Sequence, residues 1–263
     1  MGRPEVLSEV EGKKMILTIY ILWLRQIKRY FRSKARIFGS LGQPLLFLVA
    51  LGFGLGPTFA KAGQGNYLEF ITPGIISMSI LFTALFSGIE IIWDRQFGFL
   101  KEMLVAPVPR WQIMVGRTLG GATIAVFQGI IVIVLSILVG FRINSPTLIP
   151  LALIFMLLIA VLFTALGTAI ASVLSDMQGF QLIMNFLVMP FFFLSGALFP
   201  LTGVPKALQT IASVDPLSYG VDGLRGAFTG VFHFGLNLDL LVLSLITFLL
   251  VTLGSYLFSK IQI

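Results

Sequence analysis

The 263-residue sequence contains no cysteine and a single histidine, His233, and only 11% of its residues are charged. Without cysteine there is no disulfide framework, no thiolate zinc site and no cysteine nucleophile. One histidine cannot build a two-histidine metal motif, so no metal site is expected. The Gly-x-x-x-x-Gly-Lys-Ser/Thr phosphate loop, the Gly-x-Ser-x-Gly elbow and the His-Glu-x-x-His pair are also missing. A self-contained ATPase is thereby excluded. The acidic residues cluster at the ends of apolar blocks instead of converging, so no catalytic residue and no cofactor are expected in this chain.

What is present is apolar. Hydrophobic residues make up 57%, Phe occurs 25 times and mean hydropathy is +1.00. Soluble domains average about a quarter charged residues, so this is the composition of an integral membrane protein. A bilayer core of about 30 Å needs roughly 20 apolar residues per helix. Six segments qualify, approximately Phe38 to Phe59, Thr72 to Trp93, Trp111 to Gly140, Leu148 to Leu174, Phe180 to Phe199 and Leu238 to Phe258. None alternates as a strand would, and backbone groups in lipid must be satisfied within each helix. The expectation is an all-α integral membrane fold with six transmembrane helices in residues 38–263, preceded by a cytoplasmic segment, 1–37. That basic segment precedes the first apolar block, so the block is read as a retained span and not as a secretory signal.

Orientation follows from Lys and Arg in the connecting segments. Of the 18 such residues, Lys61, Arg142, Lys206 and Arg225 fall on one side and the other fourteen on the opposite side. Both termini and the connection after the second span are therefore expected in the cytoplasm of a multi-pass cell-membrane protein. The net charge of +7 is accounted for by topology and anionic lipid, without nucleic acid. In the N-terminal segment Arg25, Arg29, Arg32 and Arg36 form one helical stripe, while Ile16, Tyr20, Trp23 and Ile27 lie nearly opposite. This pattern predicts an interfacial helix, its aromatic face dipped into the leaflet and its arginines toward headgroups or a partner protein.

The connection after the second span is an amphipathic stretch closed by Pro107 and Pro109. Phe97, Leu100, Met103 and Leu104 recur at helical spacing, leaving Arg95, Lys101 and Glu102 for water or a partner. A short helix over about 94–106 is predicted, with apolar anchors suited to a groove on another protein; Asp94 and Glu102 argue against mere headgroup binding. Glu90, at the same end of its span, has basic residues near enough to pair with. Between the fifth and sixth spans, Gly and Pro alternate with apolar residues over about 200–232, which predicts short re-entrant helices at the outer face. There Asp222 and Arg225 are spaced for a pair on one helical turn.

Met78, Phe82 and Phe86 repeat every four residues in the second span, and Asn185, Met189, Phe192 and Phe193 gather around Pro190 in the fifth. Such a wall suits an apolar or amphiphilic cargo, because Met adapts to irregular shapes, although for any one of these residues ordinary packing is the commoner role. Gln128, Gln181 and Asn185 are costly in lipid and are expected to face inward. Gly116 and Gly120, one turn apart, permit close helix approach.

Four stretches, taken in order, resemble a known family. They are Gln43-Pro44-Leu45-Leu46-Phe47-Leu48, Tyr67 to Gly74, Asp94 to Leu104 with Pro107, and the run from Phe193-Leu194-Ser195-Gly196 to Asp215-Pro216-Leu217-Ser218-Tyr219. The chain is similar to the ABC-2 type permeases, in particular the drug-exporter branch typified by daunorubicin-resistance permeases. The resemblance implies a dimer of six-span subunits, most simply a homodimer, served by separate ATPase subunits that hold ATP and magnesium. It implies that the interfacial helix and the coupling helix meet the ATPase through Arg25, Arg29, Asp94, Arg95, Phe97, Leu100, Glu102 and Leu104. It further implies a translocation pathway framed by the second and fifth spans, with Met78, Phe82, Phe86, Gln181, Asn185, Met189 and Phe193. An outer gate is expected around Asp215, Tyr219, Asp222 and Arg225. Where such permeases often carry Glu-Arg at the start of the coupling helix, this chain has Asp94-Arg95.

The reading is then the membrane subunit of an ATP-driven exporter of a hydrophobic drug, lipid or similar amphiphile. Lipid-linked polysaccharide is the alternative cargo. A secondary transporter or channel is the alternative class, and it would call for ionisable residues near mid-span, which the six segments lack.

Overall fold

The structure, a computed structural model, describes residues 4–61, 66–105 and 108–261. Ala106 and Pro107, the expected end and stop of the coupling helix, lie outside the described residues, as does Arg3. Helices follow one another as α1 (Pro4–Arg32), α2 (Lys34–Lys61), α3 (Tyr67–Ser87), α4 (Ile89–Gln96), α5 (Phe99–Val105) and α6 (Arg110–Val139). After a 3₁₀ turn at Pro146–Leu148 come α7 (Ile149–Val173), α8 (Met177–Leu194), α9 (Lys206–Val214), α10 (Pro216–Thr229) and α11 (Leu236–Ser259). Among the described residues there is no strand. The protein is an all-α, multi-pass membrane protein.

Six stretches are long and apolar enough to cross a membrane: 34–59, 67–96, 110–139, 146–173, 177–194 and 236–259. They correspond one for one to the expected spans. Helix α6, with 30 residues, is about 45 Å long at 1.5 Å per residue, well beyond a bilayer core. Side-chain caps set several starts: Asn66 accepts from the Leu68 amide at 3.0 Å before α3, and Asp176 from Gly179 at 2.6 Å before α8. Helix α8 stops at Leu194, short of the expected Phe199, because Gly196 turns the chain with φ +72°.

Helices α3 and α7 form the centre, and α6, α10 and α11 pack around them. The second span is broken at Gly88, where α3 passes into α4. A Cβ there would lie 2.4 Å from the Gly167 carbonyl oxygen, so the break coincides with a backbone-to-backbone crossing of α7. Helix α1 lies along α6; Cβ atoms on Gly116 and Gly120 would collide with Leu22 and Gln26, so the expected close approach at these glycines is made with α1. Helix α10 is buried on nearly every face, whereas α9 buries only Ala212. The stretch between the fifth and sixth spans is thus one helix sunk into the bundle and one lying at its edge.

Candidate functional site

Helix α4 presents Glu90 and Asp94, four residues apart, on one face, and both are buried at 4% and 2% exposure. A carboxylate taken out of water needs compensating charge or hydrogen bonds, and four arginines supply it. From α1, Arg25 reaches Asp94 at 3.2 Å, and Arg29 lies 3.4 Å from Asp94 and 3.8 Å from Glu90. Arg36, in the first turn of α2, holds Glu90 at 2.7 Å. Arg117 of α6, itself buried, closes the cluster on the second oxygen of Asp94. Arg25 and Arg29 of the expected stripe are thereby turned onto α4, whereas Arg32 is exposed and Arg36 belongs to α2; Ile16 and Tyr20 remain exposed.

The stretch after α4 is not one helix. Gly98 adopts φ +81°, a conformation that disfavours residues with a Cβ, and separates α4 from the seven-residue α5. This turn reverses the expected roles of several side chains. Leu100 is buried at 1% and, with Met103 and Leu104, packs against the core. Leu100 is therefore not a docking anchor. Asp94 is likewise occupied within the chain, by Arg25, Arg29 and Arg117. Arg95 points inward to the end of α7, where it donates to the carbonyls of Leu174 and Ser172, both at 3.0 Å; a cation there also opposes the helix dipole. The outward face consists of Phe97, Phe99 and Val105, at 64%, 51% and 82% exposure, beside Lys101 and Glu102. Phe99 and Val105 escaped the sequence reading because it ran one helical period through Gly98.

Of the expected pathway residues, Met78 is fully buried, while Phe82 and Phe86 stack nearly parallel at 6.2 Å and are half-buried. All three line a pocket of about 200 Å³ shared with Tyr30, Arg36 and Gln43. Gln181, Asn185, Met189 and Phe193 do not line it; they recur every four residues along the exposed face of α8. Gln128 does point inward, accepting from the Tyr30 hydroxyl at 2.7 Å, whereas Gln181 and Asn185 face away from this subunit.

At the other end, Asp222 and Arg225 do not form the expected ion pair. Loop backbone reaches both first. Asp222 accepts from the amides of His233 and Phe234, with closest distances of 2.8 Å. Arg225 donates to the Gly196 carbonyl at 3.0 Å and lies over the Phe70 ring at 4.1 Å. Burial lowers its pKa to about 10 against the opposing pull of Asp222, which leaves it charged at neutral pH. The Tyr219 hydroxyl donates to the Ser213 carbonyl at 2.7 Å and ties α10 to α9. Asp215 caps α10 by accepting from the Leu217 amide at 2.8 Å, yet burial still pushes its carboxyl up to about 8. A cavity of about 490 Å³ lies here, bordered by Glu69, Ser218, Asp222, Arg225 and His233 together with apolar residues such as Phe70 and Phe232.

The profile of the ABC-2 type transporter family matches residues 18–229, from within α1 to the last residue of α10. The chain belongs to the ABC-2 type transporter family. The permease is 32% identical over 234 residues to a protein of Pyropia yezoensis named "Putative transport permease ycf38", with 86% of this chain and 78% of that one covered. It is 28% identical over 216 residues to the inner membrane transport permease YadH of Escherichia coli K12, covering 80% and 82%. Nodulation protein J of Rhizobium leguminosarum bv. viciae is 28% identical over 212 residues, covering 80% and 81%. The protein is accordingly a membrane permease of an ABC transporter, a transport subunit rather than an enzyme, and this family membership implies an ATP-binding cassette partner.

Proposed function

We propose that this permease exports a hydrophobic or amphiphilic compound and is driven by separate ATPase subunits that bind ATP and magnesium and grip α5 from the cytoplasm. The observation that carries the reading is the outward face of Phe99 and Val105, flanked by Lys101 and Glu102, on a helix whose inner side is anchored in the core, with Phe97 exposed beside it at the end of α4. Exposed apolar residues ringed by charge suit a groove on a protein. Beneath them, the Glu90–Asp94 cluster ties α4 to α1, α2 and α6, so a push on α5 is passed to three other helices. ATP must favour the arrangement it drives, because a ligand shifts an equilibrium only by its differential affinity.

In this reading both termini and α5 are cytoplasmic, and two copies of the chain meet through the α8 face that carries Gln181 and Asn185. The pocket of Met78, Phe82 and Phe86 is the candidate cargo contact on the cytoplasmic side; its apolar wall beside Arg36 and Gln43 fits an amphiphile. The test uses the exposed anchors, since Leu100→Asp would disturb the core itself. Phe99→Asp and Val105→Asp should each reduce co-purification of the cognate ATPase at least tenfold while the permease still inserts and folds. Undiminished assembly together with undiminished cargo-stimulated ATP hydrolysis would overturn the reading.

A further inference from the structure

The pocket of about 200 Å³ beside Phe82 and Phe86 has a polar end that an apolar cargo alone would leave unused. It lies where the first turns of α2, from Arg36 to Pro44, face α3 from Met78 to Phe86, at the end of the bundle that holds the Glu90–Asp94 cluster. Arg36 gives Nη1 to Glu90 at 2.7 Å, and its side chain makes no other hydrogen bond among the described residues. Its Nε and Nη2, side by side on the other edge, keep accessible surface, unlike the sealed Nε and Nη1 of Arg117. Such an edge matches two oxygens of a phosphate or carboxylate. Two more polar groups of the lining are accessible and uncommitted: the exposed Gln43 amide and the half-buried Thr83 hydroxyl. No carboxylate lines the pocket. Behind it the cluster sets four arginines against two acids, so two positive charges remain unmatched.

We infer that this pocket selects an anionic amphiphile, whose phosphate or carboxylate head sits on the free edge of Arg36 with Gln43 and Thr83 as further donors and whose chain lies on Phe82 and Phe86. That the ligand is cargo rests on the export reading above; the sign of its charge rests on the lining. A cationic head would meet Arg36 with no acid beside it to offset the repulsion. A neutral head would forgo the charge-assisted hydrogen bonds that the guanidinium edge offers.

The test measures equilibrium binding of dodecyl phosphate to the full chain in phosphatidylcholine nanodiscs, with empty discs subtracted and dodecyltrimethylammonium as the cation of equal chain length. Arg36→Gln removes the charge. Gly39→Leu leaves every ion pair in place: Gly39 lines the pocket and a Cβ on it meets nothing within 4 Å, so the side chain fills the space without collision and α2 gains helix propensity. Saturable binding of dodecyl phosphate is expected, weakened about tenfold or more in each variant, with none of the ammonium. Equal binding of the ammonium, no saturable binding of the phosphate, or an affinity within twofold of the parent in Gly39→Leu overturns the proposal. A leaflet lipid carries the same head chemistry, so a second arm adds the cognate ATPase. Dodecyl phosphate should stimulate ATP hydrolysis by the parent complex and not by the Gly39→Leu complex. Saturable binding without that stimulation assigns the pocket to a resident lipid and overturns its role in selecting cargo. The binding arm uses the permease alone, so it and the α5 docking test fail independently.

Discussion

At Asp94 three arginines from two helices converge on one carboxylate, and Arg117 among them is 4% exposed. Removing one partner of a buried pair strands the other charge, at a cost of about 3–5 kcal/mol. Asp94→Ala should therefore lower stability by about that much, read as a fall in the thermal midpoint in detergent. The double change Asp94→Leu with Arg117→Met should recover most of the loss, because no unpaired buried charge then remains. Equal loss in the single and double variants would show that the carboxylate matters by something other than neutralising Arg117. The paired carboxyls of Glu90 and Asp94 were half legible in the sequence: their spacing on one helical face could be read, and so could the arginine stripe of α1. Arg36 and Arg117 could not be assigned to them, since both come from other helices and only packing brings them within reach.

Among the elements, α10 shows how a glycine-rich stretch becomes a buried helix. Gly223 lies against the ring of Phe155 in α7, and a Cβ there would sit 2.2 Å from a ring carbon. Phe155 is fully buried and has nowhere to move. Gly223→Ala should destabilise the protein by about 1–3 kcal/mol through overpacking, despite the better helix propensity of alanine. A variant as stable as the parent, or more so, would show that α7 and α10 part easily. The same kind of contact explains what the sequence concealed in the second span. Its hydropathy runs on through Gly88, where α3 passes into α4 with Gly88 still in helical dihedrals against Gly167, and the turn at Gly98 then rotates α5 so that Leu100 faces inward and Val105 outward.

Over the whole molecule, the exposed face of α11 offers lipid chiefly apolar side chains such as Leu241, Leu245, Phe248 and Leu249, with the small hydroxyls of Ser244 and Thr252 but no amide past its first turn. The exposed face of α8 instead interleaves Phe186 and Met189 with Gln181 and Asn185. Amides facing hydrocarbon are unfavourable, so α8 is the better candidate for a face covered by protein or water. Since the chain has no native cysteine, single cysteines report contacts directly. Asn185→Cys should form a disulfide-linked dimer in membranes under mild oxidation, whereas Phe248→Cys on α11 should not. Cross-linking at both positions, or at Phe248 alone, would contradict an α8-centred dimer.

The sequence by itself determined the number of spans and the helical class, because hydropathy over some twenty residues is a local quantity. It also determined the family, through motifs whose order survives along the chain. Only the tertiary structure decided which side of α5 is free, which arginines neutralise Glu90 and Asp94, and why Asp222 and Arg225 stay apart. Each of those depends on whether a backbone carbonyl, an amide or a second charge from a distant segment arrives first, and a one-dimensional pattern carries no record of that.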